Sequence, residues 1–81
     1  MLEIKIVGMG CSKCQKLEQT ARESLEGSGL QGNVIKVMDP VAMADLGVTQ
    51  TPALILNGAV KSSGRLPTRA QVDTWFREAA M

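Results

Sequence analysis

Two cysteines three positions apart, in Cys11-Ser12-Lys13-Cys14, are the most chemically capable residues of this chain, which has no histidine. Residues at that spacing in the first turn of a helix lie on one side, within reach of a disulfide. The N–H groups at a helix start have no partner inside the helix, and the helix dipole favours an anion there. Lys13 adds a positive charge beside them. Both effects should lower the pKa of Cys11, whose thiolate would be the nucleophile in disulfide exchange. Cys14, one turn further in, suits the sheltered resolving role. Closing so small a loop would stabilise a fold by about 2 kcal/mol, against about 3 for a 15-residue loop. In a reducing compartment a lone disulfide is usually transient and catalytic. A structural staple is therefore a poor explanation of the pair.

The elements that must position these thiols can be read from either side of them. Glu3 to Val7 alternates Ile4 and Ile6 with Glu3 and Lys5, a first strand, and Gly8-Met9-Gly10 turns it into a helix beginning around Cys11 or Ser12. Cys14, Leu17, Ala21 and Leu25 recur at helical spacing, and Gly27 and Gly29 are expected to end that helix. Val34 to Met38 reads as a second strand. Asp39 then caps a short helix with Pro40 at its first position, stopping at Gly47. The apolar run Ala53 to Leu56 suits a central strand covered on both faces. Asn57-Gly58 is a hairpin signal that returns Ala59 to Ser62 antiparallel along an edge. Thr68 with Gln71 forms a capping-box pattern for a last helix. The stripe Val72, Trp75, Phe76 and Ala79 of that helix belongs in the core. The order is β-α-β-α-β-β-α in one domain, residues 1–81.

Composition narrows the partners. The chain of 81 residues carries net charge +1, with 44% hydrophobic residues and one Trp and one Phe as its aromatics. It lacks both a basic stripe and stacking aromatics, which argues against nucleic acid. Ala53-Leu54-Ile55-Leu56 is far too short to span a bilayer. Met1-Leu2-Glu3-Ile4-Lys5 has no basic region followed by an apolar one, so a cytoplasmic location is expected.

Gly8-Met9-Gly10-Cys11-Ser12-Lys13-Cys14 also resembles the loop of heavy-metal-associated domains, and two thiolates suit a soft ion such as Cu(I). The first forty residues leave redox chemistry and metal carriage nearly level. The second half separates them, because a heavy-metal-associated domain continues into hairpin, helix and strand. This chain reads strand, helix, hairpin, helix instead. Val48-Thr49-Gln50-Thr51-Pro52-Ala53-Leu54 resembles the segment carrying a cis-proline in thioredoxin-like folds. Over residues 2 to 80 the chain resembles the small redox-active disulfide proteins of the thioredoxin and glutaredoxin superfamily.

That resemblance implies an α/β thioredoxin-like fold with a four-stranded mixed sheet and helices on both faces. It implies Cys11 as attacking and Cys14 as resolving cysteine, with Lys13 modulating them and Thr51-Pro52 as a cis-peptide loop facing the pair. Thr51 would offer its backbone N–H and C=O to an extended substrate. Gly64, after Ser63 at the hairpin's end, either lines that groove or simply turns the chain. The expected activity is reduction of disulfides in partner proteins by a monomer that binds no cofactor or metal and is recharged by a flavoprotein reductase. Soft-metal carriage by the same cysteines is the alternative. Departures from thioredoxin are Gly10 in place of an aromatic residue, Ser12-Lys13 in place of Gly-Pro, and no acidic residue inside the first or second strand to act as a buried proton acceptor, Glu3 standing at the start of the first strand. Asp39 reads as a helix cap and not as that acid, and Met9 should pack beside the cysteines.

Overall fold

The computed structural model describes residues 2–8 and 12–80. Its elements are β1 (Leu2–Val7), α1 (Ser12–Ser28), β2 (Gly32–Val37), α2 (Pro40–Asp45), β3 (Ala53–Leu56), β4 (Ala59–Ser63) and α3 (Arg69–Ala80). The four strands form one sheet in the order β2-β1-β3-β4. β1 runs parallel to β2, as a connection through a helix requires, and antiparallel to β3, which pairs antiparallel with β4. This is the thioredoxin-like α/β arrangement.

Local chemistry explains most element ends. Thr68 and Gln71 cap each other reciprocally, with Gln71 Oε1 accepting from Thr68 N at 3.1 Å and Thr68 Oγ1 accepting from Gln71 N at 3.2 Å. Asp39 Oδ1 accepts from Val41 N at 3.0 Å, with Pro40 in the first turn of α2. Asn57 and Gly58 both have positive φ, 51° and 87°, the requirement of a tight hairpin turn. Gly29, at φ 66°, ends α1 while Leu30 N donates to Leu25 O and Gly29 N to Glu26 O. Gly27, expected to help end the helix, lies inside it. A glycine at negative φ does not stop a helix; the one forced into the left-handed region does. β2 begins two residues before the expected Val34, because Gly32 and Asn33 pair with Leu2 and Glu3 of β1.

The sheet buries both faces unequally. Ile4, Ile6, Leu54 and Leu56 meet Leu17, Ala21 and Leu25 of α1 and Val72 and Phe76 of α3. Trp75 and Ala79 lie partly buried at the margin of this core. On the opposite face Val7, Ala53 and Ile55 are covered by Val48 and by Met43 and Leu46 from the α2 region. β3 is buried along its whole length, as its unbroken apolar run requires. The two helices on the first face are tied by the buried Ser24, which donates to Asp73, and by Arg69, which bonds Asp73 and the Glu23 carbonyl.

Candidate functional site

Strand register brings the site together at one end of the sheet. Val7, the last residue of β1, lies opposite Ala53, the first of β3, and Ala53 lies opposite Ser63, the last of β4. Gly8, Pro52 and Gly64, each one residue beyond those positions, therefore share that edge. α1 starts from the same end, with Cys14 as its third residue.

Cys14 is buried, 6% exposed, and its helix position follows from the stripe it heads, since Leu17, Ala21 and Leu25 are buried below it. Gly8 is buried against it. A side chain at Gly8 would overlap Cys14 Sγ outright and stand 3.1 Å from Cys14 Cβ. The missing side chain is what lets the thiol lie against the strand end. Beside the thiol is a cavity of about 70 Å³ walled by Cys14, Gly8, Glu18, Lys36 and Met38, among others.

The Thr51–Pro52 peptide is cis, with Pro52 buried and Thr51 exposed. Gly64 N donates to Pro52 O at 3.0 Å, which joins the end of β4 to the loop before β3. Gly64 has φ 77°, a conformation that strains any residue with a side chain, and it packs under the exposed Gln50 side chain. Lys13 lies exposed on the first turn of α1. Cys11, the expected nucleophile, lies outside the described residues, as do Gly10 and Met9.

Glu18 and Lys36 escaped the sequence reading as site residues. Glu18 stands four residues after Cys14, on the same helix face, which was the available signal. Lys36 Nζ lies 3.1 Å from Glu18 Oε1, and Arg22 bonds Glu18 Oε2 through Nη2 at 2.9 Å and Nε at 3.2 Å. Arg22 first and Lys36 second hold the Glu18 carboxyl below the usual carboxylate range. Among the described residues, no group of three or more His, Cys, Asp or Glu side chains could hold a metal ion. No helix among them is long and apolar enough to cross a membrane.

The family model described as a thioredoxin domain matches residues 2–77. The chain belongs to the thioredoxin family. Its relatives include a thioredoxin of Methanothermobacter thermautotrophicus, 32% identical over 72 residues, which cover 89% of this chain and 94% of that protein. A thioredoxin of Methanocaldococcus jannaschii is 26% identical over 72 residues, covering 89% of this chain and 83% of the relative. Membership of the thioredoxin family makes the chain a relative of thiol–disulfide oxidoreductases and assigns its sheet, with Cys14 beside one end, to that architecture.

Proposed function

We propose that this single-domain protein is a dithiol electron carrier that reduces disulfides in partner proteins through Cys11 and Cys14. The observation that carries the reading is Cys14 buried against Gly8 in the first turn of α1, beside the sheet end that also holds Pro52 and Gly64. Cys11 thiolate attacks a substrate disulfide, forming a mixed disulfide and releasing one substrate thiolate, which takes a proton from solvent. Cys14 then loses its proton and attacks the Cys11 sulfur, expelling the second substrate thiolate. Two electrons pass to the substrate, and Cys11–Cys14 is left oxidised. A flavoprotein reductase of the thioredoxin-reductase type restores the dithiol, so the protein itself needs no bound cofactor. Lys13 favours the Cys11 thiolate. Thr51, exposed ahead of buried Pro52, offers its backbone to an extended substrate strand, with Gly64 flanking it. The protein works as a cytoplasmic monomer.

The deciding measurement is turnover. The unsubstituted protein should accelerate insulin reduction by dithiothreitol, and Cys11→Ser should abolish the acceleration. Cys14→Ser should accumulate mixed disulfides at Cys11. If the protein fails to accelerate disulfide reduction with any reductant yet passes Cu(I) to an acceptor domain, the redox reading is wrong.

A further inference from the structure

The resolving step requires Cys14 to lose a proton, and burial raises a thiol's pKa. Charged groups around its cavity therefore bear on the reaction. Among the described residues, β1 contributes no charged side chain to that lining, α1 contributes Glu18, and β2 contributes Lys36. These two form an ion pair at 3.1 Å. We propose that Glu18 is a positioning residue that holds the Lys36 ammonium beside the Cys14 cavity, where its charge favours the Cys14 thiolate; this rests on the dithiol reading above.

Glu18 itself is a poor acceptor for the thiol proton. Its carboxylate carries Lys36 on one oxygen and Arg22 on the other, and both hold it in the charged form. A weak base of that kind does not take a proton from a buried thiol. The same two contacts explain what it does instead. Arg22 lies eight residues beyond Cys14, about 12 Å along the helix at 1.5 Å per residue. It is not among the residues lining the cavity, but it offsets much of the Glu18 charge. Lys36 is the cation that lines the cavity. Its side chain is 54% exposed and would sample solvent freely, whereas Glu18 is only 16% exposed and fixed to the helix. The anchored partner thus sets where the mobile one spends its time. The proton leaving Cys14 passes through the cavity to solvent, and the sulfur's electron pair forms the new bond to Cys11.

The test uses the full chain carrying Cys11→Ser, so that Cys14 is its one thiol, and follows alkylation by iodoacetamide against pH. Lys36→Met should raise the apparent pKa of Cys14 by about half to one unit, a fall of about three- to tenfold in thiolate at neutral pH. Lys36→Arg should restore the profile. Glu18→Gln separates anchoring from simple charge. Made together with Lys36→Met, it should lower the pKa, because an anion has gone. Made with Lys36 present, it should lower it clearly less, because the lost anchor opposes the lost charge. An unchanged profile in Lys36→Met overturns the proposal. So do strictly additive effects, which would mean Glu18 does not position Lys36. Circular dichroism of each variant shows that the fold persists. Insulin turnover by the two-cysteine protein is measured in parallel. Failed turnover with shifted profiles overturns the dithiol reading, whereas normal turnover with flat profiles overturns this inference alone.

Discussion

Gly8→Ala tests how closely the buried thiol is fitted to the strand end. The new methyl would overlap Cys14 Sγ and stand 3.1 Å from Cys14 Cβ. Rotating the cysteine side chain moves the sulfur but leaves its Cβ in place, so a tight contact persists. Retreat of the strand is restricted, because Gly8 N donates to Val37 O at 3.0 Å. Overpacking of this kind costs about 1–3 kcal/mol. A domain of this size has about 4–12 kcal/mol of total stability. Its thermal midpoint should fall by about 4–8 °C for each kcal/mol lost. Urea and thermal unfolding of the reduced protein measure the cost directly. In a Cys14→Ala background the sulfur overlap is gone and only the 3.1 Å contact with Cβ remains, so the penalty should shrink, a coupling of about 1 kcal/mol. Gly47→Ala serves as a control: nothing lies within 4 Å of the new methyl, but φ is 76°. Its cost should be only that of a left-handed residue, about 1–2 kcal/mol, and independent of Cys14. The reasoning fails if Gly8→Ala changes stability by less than about 0.5 kcal/mol, or if its cost is the same with and without the sulfur.

Two further predictions concern the frame around the site. Glu18 is held below its ordinary 4.5 chiefly by Arg22, and Asp73 below its ordinary 3.8 chiefly by the Ser24 hydroxyl and then Arg69. Depressed carboxyl pKa values stabilise the fold above the unfolded values, and that contribution is lost as pH falls through the folded ones. The urea midpoint should therefore decline from about pH 5 downward, and Glu18→Gln or Asp73→Asn should flatten the decline; an unaltered pH slope would count against these contacts. Asn57 combines φ 51° with a side-chain oxygen that accepts from Glu3 N at 2.9 Å. Asn57→Ala should cost about 2–3 kcal/mol in denaturant unfolding and Asn57→Gly only about 1, and equal costs would refute the turn argument.

Much of the scaffold was legible because it rests on interactions between near neighbours in sequence. The Thr68–Gln71 cap, the Asp39-Pro40 start, the Asn57-Gly58 turn and the apolar run of β3 each need only a few adjacent residues. Element ends were less legible where a distant partner decides them. Gly32 and Asn33 are disfavoured in strands by propensity, and they are strand because they pair with Leu2 and Glu3 of β1. Gly27 and Gly29 look alike as letters, and only backbone conformation shows which of them ends α1.

The sequence by itself determined the types of its elements and the cysteine pair on which the proposed chemistry rests, because a two-cysteine spacing, side-chain periodicity and helix caps are short-range properties. Tertiary structure decided the surroundings of Cys14. Sheet register set Pro52 and Gly64 at the end where β1 finishes, and Gly8 allowed the sulfur to lie against that strand. The one acid of β1 and β2, Glu3, is exposed at the opposite end of β1 from the cavity, yet α1 supplies Glu18 to the cavity and β2 meets it there with Lys36. No local pattern announces that pair. Each residue alone reads as an ordinary exposed charge, and only the docking of α1 over the β1–β2 edge brings opposite charges within 3.1 Å beside a thiol.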